Sequence, residues 1–467
     1  MKYAVFLFFL VSMVIPSFSW TQTVLSFDRF MNLVKTYHPI AAQANLRLEV
    51  GEAAVRASRG GFDPQLFTDL GQKYFDNDQY YSILDAGLKV PTWFGVELYT
   101  GYEQTTGVNL NPERKTPNAG LVYAGISLPV GQGLFMDQRR ADLRQAQLFE
   151  SITKEEQRIH LNNLLLRAGD AYWDWFTSYE VVSVFDDALR LAEERFEGVR
   201  QNALLGDVAI IDTVEAFIQV QQRRIGLQEA RLQFQNQSER LSVFLWGDGA
   251  VPLELEEGVL PQSEEDTRKF IMNEFAQEEI DSLISSHPLI SKNQLFLKQL
   301  DIERRLKAEQ LKPVFNLKYN AINEAISDNI ITGYSINNYN WGLQFHMPIF
   351  VRRGRGELKL TKLKIQDAEL DLSHDLAEIE MLVNTALNTW RTSTTQVSLY
   401  SDAVDGMDEL LRGERRKFEV GESSLFLVNA REESYISGRI ELAQMIAKNQ
   451  KSIQDISFQL GVLYDLY

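Results

Sequence analysis

Two kinds of apolar spacing run along the chain. From Leu372 the residues Leu376, Ile379, Val383, Ala386, Trp390, Ser393, Val397, Tyr400, Val404, Met407 and Leu411 follow at alternating steps of four and three, and only Ser393 is polar. A sustained 3.5-residue period is the seam of a coiled coil. A second seam passes through Leu161, Leu165, Ala168, Tyr172, Trp175, Tyr179 and Val182, slips by one at Phe185, and resumes at Leu189, Ala192, Phe196 and Val199. Such a slip locally changes the supercoil. Residues 138–203 contain no proline and only Gly169 and Gly198 as glycines. As one helix this stretch would be about 100 Å long at 1.5 Å per residue, and residues 355–418 would be similar.

The other pattern has period two. Phe315, Leu317, Tyr319 and Ala321 alternate with Asn316, Lys318 and Asn320; Tyr339, Trp341, Leu343, Phe345 and Met347 alternate with Asn340, Gly342, Gln344 and His346. These dyads predict strands of about ten residues, the length that crosses a bilayer when one face meets lipid and the other a lumen. Further strands are predicted near Gln65–Phe75 and Leu121–Val130, with another suggested by Val96, Leu98, Thr100 and Tyr102.

The patterns occur twice. His38-Pro39-Ile40 returns as His287-Pro288-Leu289, and each proline precedes another by 25 residues, Pro64 and Pro313. Leu128-Pro129-Val130 matches Met347-Pro348-Ile349, and Trp175 and Trp390 each lie 31 residues before a glycine, Gly206 and Gly421. The chain therefore reads as two copies of helix, strands, long helix, turn, long helix. Pro64 to Pro129 spans 65 residues against 35 from Pro313 to Pro348. The extra thirty form an insertion, either an added hairpin or a long external loop. Four spanning strands cannot close a barrel, because an open edge in lipid leaves backbone groups unpaired; several chains must share one.

Composition narrows the function. A net charge of −17 argues against general nucleic-acid binding, and the absence of cysteine excludes disulfides and thiol chemistry. Lys2, the apolar run Ala4–Ile15 and small residues at Ser17 and Ser19 read as a secretory signal peptide over 1–19. The first repeat then covers 20–246 and the second 287–467. Between them, 247–286 is an acidic linker, with ten acidic and two basic residues from Glu254 to Asp281. The five histidines show no metal-ligand spacing, Gly131-Gln132-Gly133 lacks the third glycine of a dinucleotide site, and no phosphate loop is present. No catalytic constellation and no cofactor are expected.

The order His-Pro-Ile, Phe62-Asp63-Pro64-Gln65-Leu66, a strand ending Leu-Pro-Val, then Gly and Arg before a long helix, resembles the TolC-type outer-membrane factors. Residues 205–216 look like the first helix-turn-helix tip of that family and 420–430 like the second. The resemblance implies a mainly α fold with a β-barrel part: a homotrimer whose twelve strands form one outer-membrane barrel continued by a periplasmic coiled-coil tunnel. It implies a Gram-negative outer membrane and a tripartite efflux or type I secretion system with a periplasmic adaptor and an inner-membrane pump. The exported cargo would be small molecules or polypeptides. The alternative is a periplasmic coiled-coil scaffold without a pore.

Three sets of residues follow as candidates. Gly206, Asp207, Val208, Gly421, Glu422 and Ser423 are expected to dock the adaptor. Asp212 and Glu215, one helical turn apart beyond the first tip, are candidates for a periplasmic gate of carboxylate rings. The second tip is one residue shorter between its glycine and alanine, and Asn429 falls where several relatives place a gate carboxylate. Arg139, Arg140 and Arg144 follow the first strands, and Arg352, Arg353, Arg355 and Lys359 follow the second pair. Arg139, Arg140, Arg352, Arg353 and Arg355 are candidates for binding lipid headgroups where barrel meets tunnel.

Overall fold

The computed structural model describes residues 24–256, 258–268, 276–324 and 335–467. The expected signal peptide over 1–19, parts of the acidic segment and the middle of the last strand connection lie outside them. Elements run in the order β1 (Val24–Leu25), α1 (Phe27–Tyr37), α2 (Pro39–Arg59), β2 (Gln65–Phe75), β3 (Asp78–Pro91), β4 (Glu97–Thr106), β5 (Leu121–Pro129), α3 (Gln138–Leu205) and α4 (Ile210–Ser242). They continue with β6 (Trp246–Gly247), β7 (Val251–Pro252), β8 (Leu260–Pro261), α5 (Glu264–Arg268), α6 (Gln277–Ser285), α7 (Pro288–Glu309), β9 (Val314–Glu324), β10 (Tyr339–His346), α8 (Arg352–Glu419) and α9 (Leu425–Gln459). The two long helices have 68 residues each.

Both His-Pro pairs start helices, and for the same reason. His38 Nδ1 accepts the Ile40 amide at 3.1 Å, and His287 Nδ1 accepts the Leu289 amide at 3.2 Å. Each histidine is an N-cap, and the proline behind it occupies the first turn, where a missing N–H costs nothing. Burial, and secondarily the Arg158 charge, pushes the His287 imidazole down to about 4. The cap is then an unprotonated acceptor at neutral pH.

The chain divides into two compact units, and each draws on both sequence repeats. One is built from described residues within Met1–Val34, Ala168–Met272 and Ser393–Lys451. Its core is aromatic: Phe30, Tyr172, Trp173, Trp175 and Phe176 are buried. The Tyr172 hydroxyl donates to the Leu25 carbonyl at 2.7 Å and accepts the Gln262 amide at 3.2 Å, which ties the parallel β1–β8 pair to α3. In this unit α3 and α4 run antiparallel, joined at Asp186–Arg231 and Glu193–Arg224. The helices α8 and α9 do the same, with Asn449 Nδ2 donating to Ser393 Oγ at 3.0 Å. Ser393, the polar member of the seam, therefore has a partner for its hydroxyl.

The other unit comprises Lys35–Arg167, Asn273–Thr392 and Ser452–Tyr467. It carries one curled antiparallel sheet of six strands in the order β10-β9-β5-β4-β3-β2. The repeat alone would supply four. The insertion between Pro64 and Pro129 adds β3 and β4, and the open choice between hairpin and loop falls to a hairpin. β2 and β3 meet through Asp76-Asn77, both left-handed at φ 55° and 66°, the backbone of a type I′ turn.

Candidate functional site

The strand register decides what each face of the sheet presents. Directly opposed residues share a face, and the pairs Leu66–Leu88, Leu70–Leu84, Val90–Leu98, Leu98–Ile126, Leu128–Leu317, Tyr319–Trp341, Leu317–Leu343 and Phe315–Phe345 all fall on the same one. Much of that face is open: Leu66 is 87 % and Trp341 61 % exposed. The opposite face holds Asp85, Lys89, Tyr99, Glu103, Lys318 and Asn320 around a hollow of about 400 Å³. Tyr123 lies across Gly101, where a Cβ would meet its hydroxyl at 2.6 Å, and donates to Asp85 at 2.8 Å. A sheet in water hides its apolar face. This sheet exposes it and keeps the polar groups in its concavity, the polarity of a wall between lipid and a wet lumen.

The arginines after the strands differ in their surroundings. Arg139 pairs with Glu97 at 2.7 Å, and Arg140 pairs with Asp137 at 3.1 Å while donating to the Gly133 and Leu134 carbonyls. These two hold the strand-to-helix junction. Arg352, Arg353 and Arg355 are exposed. Arg353 reaches Glu357 at 2.8 Å, and the Arg352 guanidinium stands 5.1 Å from the Phe350 ring. Ile349 and Phe350 beside them are also exposed.

In the helical unit the two tips close identically. Gly206 and Gly421 are left-handed at φ +86° and +79°. The Gly206 amide donates to Ala203 at 3.2 Å and Asp207 to Asn202 at 2.9 Å; Gly421 donates to Phe418 at 3.0 Å and Glu422 to Lys417 at 2.8 Å. These are Schellman motifs, which satisfy the last carbonyls of α3 and α8. Val199, Ala216 and Leu425 form a small core between the tips, with Phe196, Val208 and Phe418 packed on it. Leu204, Leu205, Ile210, Ile211, Val420 and Phe426 flank the two glycines and are all largely exposed.

Behind the tips, charges from all four long helices converge. Asn429 Nδ2 donates to Glu215 Oε1 at 3.0 Å, and Asn429 Oδ1 accepts from Arg195 at 2.8 Å. Arg195 also pairs with the buried Glu432. Arg415 lies 3.9 Å from Glu432, and Arg223 pairs with Glu433 at 2.7 Å. Arg415 Nη2 and Glu432 Oε1 are buried and have no hydrogen-bond partner among the described residues. Thus two of the three gate candidates, Glu215 and Asn429, are brought together, while Asp212 lies half-exposed one turn nearer the tip. Arg195, Arg415 and Glu432 are absent from the sequence reading. The α8 seam through Val404, Met407 and Leu411 steps next by three to Glu414, so Arg415 stands one position off it and no local period marks it.

Among the described residues no helix is long and apolar enough to cross a membrane, and no group of side chains is arranged to hold a metal ion. The described residues combine long antiparallel helix pairs with a six-stranded sheet that is apolar on one face and polar on the other. No family model and no curated protein matches the sequence. Solved structures do share the fold. The open state of the Neisseria gonorrhoeae MtrE outer membrane channel superposes with a TM-score of 0.67 at 14% identity, covering 94% of this chain and 89% of that one. The Campylobacter jejuni CmeC outer membrane channel gives 0.64 at 12% identity, with 94% and 86% covered. The outer membrane protein VceC of Vibrio cholerae gives 0.62 at 12% identity, with 93% and 96% covered. At these identities the likeness is one of fold.

Proposed function

We propose that this chain is a subunit of a homotrimeric outer-membrane channel-tunnel of the TolC type, a conduit for export and not an enzyme. It would sit in the outer membrane of a Gram-negative bacterium and extend into the periplasm. Its two structural repeats, 20–246 and 287–467, would be joined by the acidic segment 247–286. The observation that carries the reading is the sheet whose exposed face is apolar and whose concave face is charged. The fold shared with outer membrane channels supports it.

In this reading the tips, with Gly206, Asp207, Val208, Gly421, Glu422 and Ser423, dock a periplasmic adaptor that brings an inner-membrane pump. The exposed leucines and isoleucines beside the glycines favour a protein partner there, since contiguous apolar surface marks interaction sites. Arg352, Arg353 and Arg355, next to Ile349 and Phe350, would meet lipid headgroups, at about 1 kcal/mol for each arginine. Arg139 and Arg140, already engaged by Glu97 and Asp137, would act mainly on the junction itself. Asp212, Glu215 and Asn429 would line the periplasmic gate. Native mass spectrometry of the detergent-extracted protein should report three subunits. Extraction should require detergent, and a monodisperse monomer, or release by salt alone, would overturn the reading in favour of a scaffold.

A further inference from the structure

The sheet is open at both ends: among the described residues β2 and β10 each have a strand on one side only. In lipid such an edge leaves a row of backbone groups unsatisfied, at several kcal/mol each, so a spanning sheet must close. Six strands are too few to close on themselves, since single-chain barrels begin at eight.

Direction decides how copies can meet. Every neighbouring pair in the sheet is antiparallel, so the strands alternate in direction from β2 to β10. With an even number of strands, β10 runs opposite to β2. The β10 edge of one copy can therefore receive the β2 edge of the next in the same antiparallel sense, with the apolar face kept on one side. Repeating that head-to-tail contact generates a closed ring.

The inserted hairpin conforms to the same two-sided pattern. Leu84, Leu88, Val90 and Leu98 continue the apolar face, and Asp85, Lys89 and Glu103 continue the polar one. Its register is that of a wall strand and not of a plug or an external flap: β3 is paired with β2 from Asp78 to Lys89, with one bulge, and with β4 over ten positions. We infer that β3 and β4 are part of the barrel wall, and that three copies of this chain close a ring of eighteen strands, β10 of each against β2 of the next. This rests on the trimeric channel reading. Barrel diameter grows roughly linearly with strand number, so the ring would be about half again as wide as one of twelve strands. It would fall in the range where barrels hold an open aqueous lumen. The outer-membrane portion would then admit bulkier cargo than a four-stranded subunit allows.

Two measurements on the full-length protein in lipid nanodiscs test this. Cryo-electron microscopy should count eighteen wall strands. A count of twelve, with the hairpin outside the wall, overturns the inference and leaves the channel intact; the absence of any closed barrel overturns the channel reading instead. The cysteine-free chain also permits single nitroxide labels. A label at Leu88→Cys should be relaxed by oxygen in the lipid phase, and one at Lys89→Cys by a water-soluble nickel chelate. Leu317→Cys on β9 serves as the control. If Leu88→Cys reports water while Leu317→Cys reports lipid, the hairpin is not in the wall. If both report water, the sheet does not face lipid at all.

Discussion

Asn429 and Glu215 are joined by a hydrogen bond of 3.0 Å, linking the helix after the second tip to the helix after the first. The same Asn429 accepts from Arg195 on α3, and Arg195 in turn holds Glu432. A neutral amide serves both as donor to a carboxylate and as acceptor from a guanidinium, which neither Asp nor Lys does at neutral pH. The one-residue shortening of the second tip thus delivers a residue whose chemistry suits the place it reaches.

The buried Glu432 is the countercharge for two arginines, Arg195 and Arg415. Removing one partner of a buried ionic pair leaves an uncompensated charge, at a cost of about 3–5 kcal/mol. Glu432→Ala should lower the melting temperature clearly, while Asp186→Ala, which breaks an ion pair with Arg231 that is exposed on both sides, should change it little. Thermal denaturation of both variants in detergent checks the contrast. Equal effects would mean that Glu432 is not the keystone of the cluster.

Much of this was readable beforehand. Both long helices follow from seams with a period of 3.5, and β9 and β10 from unbroken dyads with aromatic residues on one side. The histidine caps were legible as paired His-Pro positions. The inserted hairpin was harder. In β3 the alternation falters, because Ser82 sits on the apolar face and Tyr81 and Ile83 on the polar one, so the sequence leaves hairpin and loop both open. The charged cluster was least legible. Arg195 and Glu432 lie 237 residues apart in sequence, and no local period links a side chain on α3 to one on α9.

The tips make a prediction about backbone alone. A Cβ at Gly206 or Gly421 would meet nothing within 4 Å, so only the left-handed φ resists substitution. Gly→Ala at either site should cost about 1 kcal/mol, and a β-branched residue more. Gly206→Val and Gly421→Val should leave trimers in the membrane but abolish transport and adaptor crosslinking. Full transport by both would place docking elsewhere.

Stability should depend on pH through two groups of opposite sign. The His287 imidazole, pushed down from 6.5 to about 4, contributes stability that is complete above about 6.5 and is lost as pH falls toward 4. Glu180 is buried, and its carboxyl is pushed up from 4.5 to about 7, first by burial and then by the Glu264 charge. Its contribution is present below 4.5 and is lost as pH rises through 7. Between 4.5 and 6.5 the two slopes oppose each other. His287→Asn, which keeps a capping side chain, should flatten the acid side of the profile. Glu180→Gln should raise the melting temperature at pH 8. Profiles parallel to wild type in both variants would rule out these two groups as the origin.

The last prediction concerns ion selectivity at the periplasmic end. Asp212 and Glu215 lie one turn apart in the first turns of α4, and in a trimer each would recur three times. Rings of carboxylates favour cations and bind multivalent ones. The two acids are not equivalent, however. Glu215 is committed to Asn429, which takes one of its oxygens and leaves its charge in place. Asp212 is half-exposed and sits where an acid also stabilises a helix N-terminus, by about 0.3–1 kcal/mol. Asp212→Asn should therefore lower cation preference in planar bilayers with a small loss of helix stability. Glu215→Gln should lower it as well and additionally weaken the link to Asn429, raising the frequency of spontaneous opening. The double variant should lose most of the block by multivalent cations added from the periplasmic side. Unchanged selectivity and block in the double variant, with trimers intact, would leave Asp212 as a helix cap and Glu215 as a structural partner of Asn429, and the constriction would then have to be sought at other residues.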